Sequence, residues 1–406
     1  MQNIDTAITR SKRNRTVEVF VAFLKLGLTS FGGPIAHLGY FRDEFVERRK
    51  WLNDSAYADI VALCQFLPGP ASSQVGFVIG IFRGGGLLGG IAAWTAFTLP
   101  SAILLLAFAY GAASFSGPVG QGIIHGLKLV AVAVVAQAIW GMSRTLTPDR
   151  PRIGIALAAV ATAVLLNNAA GQLGAIAGGA LLGILLCRDG SVATDHQINF
   201  AVGRRSAVTA LILFGMLLVA PALLSGFVQN QGLLLFDAFY RSGAFVFGGG
   251  HVVLPLLETA VVETGWVDHQ TFLAGYGAAQ AVPGPLFTFA AYLGAVATSE
   301  PNGLAGAAIA VIAISLPGLL LVYGTLPFWD SVRNRPTVQA AMKGANAAVV
   351  GILAAAFYDP VWTSAVTTPF DFFLALSGFV FLVVWKTPPW VIVIGLATIG
   401  GFSNFW

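Results

Sequence analysis

Charge is what this chain has least of. Lysine, arginine, aspartate and glutamate make up 10% of its 406 residues, against roughly 25% in soluble domains. Hydrophobic residues reach 56% and the mean hydropathy is +0.79, so too little polar surface remains to cover a water-soluble globule. Cysteine is nearly absent. Cys64 and Cys187 stand alone, without CxxC or Cys/His spacing, which excludes a disulfide framework and argues against a metal site. The five histidines are scattered, so no metal ligation, cofactor or membrane-enzyme constellation is expected. There is no Walker motif and no acidic phosphorylation motif, so ATP-driven machinery is not expected either. The few basic residues sit at chain ends and loops; the net charge of +4 reports topology rather than nucleic-acid binding. Arg10, Lys12, Arg13 and Arg15 precede an apolar stretch. Glu18 and Lys25 interrupt that stretch and no small-residue cleavage site follows, which argues against a cleaved signal.

What the chain does contain, it contains twice. FLKLGLTSFGG at 23–33 returns as FYRSGAFVFGG at 239–249, an offset of 216 residues. The PGP at 68–70 returns at 283–285, each preceded by a glutamine, Gln65 or Gln280, and the offset is now 215. Trp51 matches Trp266 and Lys128 matches Lys343 at that second offset, so one residue is lost in between. A repeat of this size sets the architecture. In so apolar a chain it points to a duplicated membrane transporter. The polar stretch 188–205 divides two halves, 1–195 and 196–406.

Apolar runs able to cross a ~30 Å core fall near 86–115, 119–146, 206–228, 303–325 and 337–357. Two tighter pairs, 152–167 with 170–187 and 370–385 with 388–404, read as thin spans or hairpins. The 48 glycines fit close helix packing in lipid. The repeated blocks are broken runs. Gly32-Gly33-Pro34 and Pro68-Gly69-Pro70 interrupt half one; Gly248-Gly249-Gly250 and Pro283-Gly284-Pro285 interrupt half two. Proline removes a backbone donor and clashes with the preceding turn, while glycine tolerates any backbone angle. Each block is therefore expected to be two half-helices meeting at an elbow, buried in protein or lining a cavity.

Charge placement then orients the halves. Arg42, Arg48, Arg49, Lys50 and Arg83 join the basic N-terminus in one cluster, expected on the cytoplasmic side. That placement requires the first block to be re-entrant. Between Arg241 and Arg333 there is no lysine or arginine, only Glu258, Glu263, Asp268, Glu300 and Asp330. The same block on opposite sides of the membrane explains this difference. The fold class expected is an all-α integral membrane protein, two homologous halves in inverted topology with broken, re-entrant half-helices.

Each elbow is followed by a new helix whose unpaired N–H groups and positive dipole end point back toward it. Pro34 and Pro70 suit a first helical turn. Ser72, Ser73 and Thr288 add hydroxyl donors. Four such starts converging near the midplane form an anion site. Cations recur as well, at Lys25 with Arg241 and at Lys128 with Lys343. A mid-helix cation costs about 2.5–3.5 kcal/mol on insertion scales, and Lys128 and Lys343 repeat it. Snorkelling to the interface remains the alternative for all four. His37 and His251 do not align and read as local; Trp51 and Trp266 read as interfacial anchors.

The FxKxGxxxFGGP block, the RRKW loop, the QxxPGP break and the later GLK together resemble the chromate ion transporter family, in its two-domain form. The resemblance spans nearly the whole chain. It implies export of chromate across the bacterial inner membrane, with sulfate a related or competing oxyanion and the bilayer as the other partner. Self-association into a homo-oligomer is compatible with it. Carried onto this chain, the motif positions are Lys25, Gly27, Phe31, Gly32, Gly33, Pro34, Gln65, Pro68, Gly69, Pro70 and Lys128. Half two departs from the pattern: Gly250 replaces the proline, Arg241 replaces the lysine and the RRK loop is absent. Equal contributions from the halves are therefore not expected. A carrier for sulfate or another oxyanion, or an anion channel of the same architecture, stays open beside the chromate reading.

Overall fold

A computed structural model describes residues 2–31, 33–112, 117–166, 169–188, 202–225, 230–247, 252–329 and 335–403. Every regular element among them is helical. The expected elbows at Gly32, Gly248, Gly249 and Gly250 lie outside the described residues, as does His251.

Half one begins with α1 (Gln2–Thr29) and α2 (Gly33–Arg42), which runs into a π-helical turn (Asp43–Arg48). Then come α3 (Asp54–Phe66), α4 (Ala71–Gly84), the long α5 (Leu87–Ala112) and α6 (Pro118–Leu146), and a closing pair, α7 (Arg150–Leu165) and α8 (Ala169–Leu186). Half two opens on α9 (Arg204–Ser225) and repeats the series: α10 (Gln231–Ala244), α11 (Val253–Val261), α12 (His269–Ala279), and a 3₁₀ turn (Leu286–Thr288) leading into α13 (Phe289–Val296). It ends with α14 (Gly303–Thr325), α15 (Pro336–Ala356), α16 (Pro369–Val383) and α17 (Pro389–Ser403). The sequence punctuates these helices with side-chain caps. Asn53, Asp149, Asn230 and Asp268 each accept a backbone N–H of the first turn, and Thr368 with Asp371 forms a full capping box.

Both repeated blocks are broken as their glycines and prolines require, so α1–α2, α3–α4, α10–α11 and α12–α13 are pairs of half-helices. Among the described residues five helices, α5, α6, α9, α14 and α15, are long and apolar enough to cross a bilayer. The closing pairs resolve into two helices each. At 15 residues apiece, α16 and α17 reach only about 22 Å, short of the ~30 Å core. Among the described residues, the crossing with no counterpart is α9. It stands between α8 and α10, and one additional span reverses every element after it, which inverts half two.

The residue that separates the two offsets is located by hydrogen bonding. Phe45 O accepts from the N–H groups of Trp51 and Leu52, and Val261 O accepts from those of Trp266 and Val267. Phe45 thus matches Val261 at the first offset while Trp51 matches Trp266 at the second. The extra residue lies in 46–50 (VERRK) against 262–265 (VETG), and half one absorbs it in the π-helical turn.

The halves interlock. α8 packs along α15 of half two, and in the mirrored arrangement α17 packs along α6 of half one. Missing side chains allow this contact. A Cβ on Gly183 would stand 2.3 Å from Ala340 O, and one on Gly126 2.2 Å from Leu396 O. Large apolar side chains such as Leu157, Leu185, Leu223 and Phe373 point outward, as a lipid-facing surface requires.

Candidate anion site at the crossed elbows

The two PGP elbows do not meet their own half. Gly69 N donates to Val246 O at 2.7 Å, and Gly284 N donates to Ser30 O at 2.9 Å. Ser30 and Val246 are equivalent positions at the ends of α1 and α10, and Gly69 and Gly284 are likewise equivalent. One bond is therefore the mirror of the other, and each half's second elbow is tied to the opposite half's first. The approach demands glycine. Gly69 has φ +118° and Gly284 φ +104°, angles a side chain rarely adopts. A Cβ on Gly69 would lie 3.0 Å from Gly318 Cα, and one on Gly284 2.8 Å from Ser101 Oγ. Ser101 and Gly318 each follow the proline inside a long helix, Pro100 in α5 and Pro317 in α14, so the mirror extends one layer further.

Around this junction lie polar groups that the repeat did not single out. Gln74, wholly buried in α4, donates from Nε2 to Pro68 O (2.9 Å) and Gly318 O (3.0 Å), tying the half-one elbow to α14. Its Oε1 has no partner, and neither do Ser30 Oγ, Thr98 Oγ1, His37 Nδ1 or Gln280 Nε2. His37 Nε2 lies 3.2 Å from Ser30 O, the carbonyl that also receives Gly284. Buried polar atoms are ordinarily paired, so these are polar contacts the junction leaves open. No repeat signal could have found them. Gln74 corresponds to Phe289 and Ser30 to Val246, and an argument built on matching halves passes over residues present in only one. Polarity within an apolar run was the signal available for Gln74.

The sequence-derived residues separate into groups. Pro68, Gly69, Pro70, Pro283, Gly284 and Pro285 sit at the junction, with Gly33 and Pro34 opening α2 and Pro70 capping α4. Ser72 and Ser73 are buried in the first turn of α4. Thr288 is buried, and its hydroxyl turns back to Pro285 O at 2.7 Å. Gln280 is half-buried, whereas its mate Gln65 is exposed. Lys128 is buried within α6, its Nζ 3.3 Å from Ser364 O, with Asp371 and Asp268 near enough to act on its charge. Lys343 acts instead on Asp149, the cap of α7. Asp371 lies in the first turn of α16, the counterpart of α7. Each repeated lysine thus faces an acid at the start of the equivalent helix in the other half. Lys25 is half in solvent and 3.6 Å from Glu44. Arg241 holds Asp237 at 2.8 Å and Leu218 O at 2.9 Å. Neither cation is directed at the elbows.

Trp51 is not the interfacial anchor its position suggested. It is buried, stacked on Phe45 at 4.8 Å, with the guanidinium groups of Arg49 and Arg83 over its ring at 5.3 and 5.1 Å. Cation–π contact between two charges and one ring closes the half-one loop, and the VETG loop of half two has no cation to repeat it. Among the described residues no group of histidine, cysteine and carboxylate side chains could hold a metal ion.

The chromate transporter family profile matches twice, over residues 17–184 and 233–401. The chain is 28% identical to the chromate transport protein of Pseudomonas aeruginosa over 94% of its own length and 90% of the relative's. It is 27% identical to the chromate transport protein of Cupriavidus metallidurans over 98% and 94% of the two chains. Against a probable chromate transport protein of Synechococcus elongatus the identity is 28% over 82% and 81%. No solved structure matches. With its two inverted halves each matched in turn, the chain belongs to the chromate transporter family.

Proposed function

We propose that this protein is a secondary carrier that exports chromate from the cytoplasm across the bacterial inner membrane, with 1–195 and 196–406 as its two working halves. The observation that carries the reading is the reciprocal pair of elbow bonds, Gly69 N to Val246 O and Gly284 N to Ser30 O. Because each half holds the other's elbow, a shift between halves rearranges every half-helix start at once. Those starts supply orphan N–H donors and positive dipole ends, which bind a tetrahedral dianion without a fixed cation in contact. Ser72, Ser73, Gln65 and Gln280 line the approach with hydroxyl and amide donors, while the Thr288 hydroxyl is committed to Pro285 O. Lys128 and Lys343 supply positive potential from the two sides.

The membrane potential suffices as the driving force. Each charge gains about 2.3 kcal/mol per 100 mV, so a dianion leaving a negative interior gains about 4.6 kcal/mol. That sustains a gradient on the order of a thousandfold. Inside-out vesicles provide the test. Chromate uptake should accelerate under a lumen-positive potential, proceed without ATP, and saturate. Excess sulfate should compete if the site reads only charge and shape. Uptake that ignores the potential but needs ATP would sink the proposal, and a large unitary conductance in planar bilayers would make the protein a channel. Lys128→Ala and Lys343→Ala should each abolish uptake at normal expression; full uptake in both would leave the lysines an inter-half electrostatic role only.

A further inference from the structure

The mirror that relates the elbows fails in one place. In half two, α12 packs along α6, and α11 packs on both α15 and α8. Among the described residues, α3 makes no comparable packing on α15, and α2 none on α6 or α17. Individual positions show the same difference. Leu273 and Gly277 of α12 are buried, and a Cβ on Gly277 would stand 2.1 Å from Leu127 O of α6. Their mates Ala58 and Ala62 are exposed, and so is Gln65 one turn on. On α11, Pro255 is buried, and Gln172 of α8 reaches its carbonyl (3.4 Å) and the Thr259 hydroxyl (2.8 Å). Its mate Gly39 is exposed, with open space where a Cβ would go. The partner helices agree. Leu127, Lys128 and Ala131 of α6 are buried under α12, while Met342, Lys343 and Asn346 at the equivalent places on α15 are half-open.

The exposed strip on α3 is not a lipid face. It ends in the polar Gln65, its small residues suit a close helix–helix contact, and the equivalent positions of α12 are buried against α6. We infer that this strip is the docking face of an inner gate, whose occupant is α15 at Met342, and that the structure is the inward-open state. In the other state α3 closes on α15 through Ala62, while α12 leaves α6 by releasing Gly277 from Leu127. The inference rests on the carrier reading and gives it a moving part. It also gives the repeated lysines successive roles. Lys343 lies on the face open to the cytoplasm, where an anion enters, and Lys128 lies under the closed outer gate, where it leaves.

The two gates are not equally tight. Gly277 lets a backbone carbonyl approach to a distance that any Cβ would forbid, and Ala62 keeps a Cβ at the matching point. The inner gate therefore closes less closely than the outer one, and the equilibrium rests inward-open. For an exporter that is the state that loads.

Labelling the full-length chain in inside-out vesicles with a membrane-impermeant maleimide decides the matter. Ala62→Cys should react from the cytoplasmic side; the parent chain is the control, since Cys64 is wholly buried and Cys187 nearly so. Gly277→Ala, which forces α12 off Leu127, should slow Ala62→Cys labelling roughly tenfold by shifting the population outward. The same change should let Ala62→Cys and Met342→Cys form a disulfide under oxidation. Gln172→Ala, a milder release of the outer gate, should act in the same direction by about threefold. Ala62→Gly should slow labelling of Gln65→Cys by tightening the inner gate. If Gly277→Ala does not fold, the Gln172 and Ala62 variants decide. An unreactive Ala62→Cys, or labelling indifferent to every one of these changes in folded protein, overturns the inference. None of these readings needs chromate, so failure here and failure of chromate flux are separate results.

Discussion

At the scale of single residues, the site is a matter of where a side chain is forbidden. Gly69 and Gly284 hold the two elbow bonds at φ angles near +110°, and the cost of placing alanine there is about 2–3 kcal/mol. Gly69→Ala should lower thermal stability in detergent by that amount and abolish transport, because its Cβ meets the Gly318 backbone and cannot rotate away. Gly85→Ala is the matching control. Its φ is +73° but nothing lies within 4 Å of the new methyl, so a loss of only about 1 kcal/mol is expected, with transport retained. Equal losses in both would mean that backbone strain alone, and not contact between halves, makes Gly69 necessary. The elbows themselves were legible in the sequence because Pro-Gly-Pro leaves few conformations open. What they touch was not. Ser30 after α1, Gln74 on α4 and Thr98 on α5 come to the junction through the packing of α1 and α4 on α5 and of α4 on α14, and no local pattern encodes which carbonyl a glycine N–H will find. His37 read as a local residue, and only the fold places it on the carbonyl that receives Gly284.

At the scale of elements, the inner hairpin is held together by charge and the outer one by packing. Glu44, in the π-helical turn, is 6% exposed and gathers Lys25, Arg48 and Arg49 from α1 and its own turn, while Glu18 of α1 holds Arg83 at the end of α4. The basic loop that orients half one is thus largely neutralised where it sits. Sequence reading counted its cations and had no means of seeing that Glu44 would turn inward to meet them. Burial pushes the Glu44 carboxyl up, but hydrogen bonds from Arg48 and Arg49 and the charge of Lys25 outweigh it and hold the group below the usual glutamate range. A folded-state pKa below the unfolded one stabilises fully at neutral pH, and the contribution is lost as pH falls through the lowered value. Glu44→Gln should therefore cost about 2 kcal/mol at pH 7. The gap between the variant and the parent should shrink once the pH drops below roughly 4. A gap that stays constant on acidification would show that shape, not charge, holds the turn. This network fastens the turn between α2 and α3 to α1 and α4 of the same half, so a gate made of α2 and α3 would move together with those helices.

At the scale of the whole molecule, inversion was the feature most open to sequence reasoning, since lysine and arginine distribution is a record of which loops stay inside. The device that produces it, the unpaired α9, needed the full order of elements. Without α9 the same repeat would run parallel, Lys386 would fall outside, and the elbows could not cross as mirror images. Repeat arithmetic offers a direct check on this arrangement. Arg48 and Glu263 lie in corresponding loops, between Phe45 and Trp51 and between Val261 and Trp266, and both are exposed. In an inverted pair they must face opposite solutions. Arg48→Cys should therefore react with an impermeant maleimide in inside-out vesicles and stay protected in right-side-out ones, and Glu263→Cys should show the reverse. Buried Cys64 and Cys187 leave little background. Labelling of both from one side would undo the inversion, and with it the mirrored bonds of Gly69 and Gly284 as the basis of the site. Opposite labelling would fix the inner hairpin as the one that meets cytoplasmic anion first, which is the sidedness an exporter resting inward-open requires.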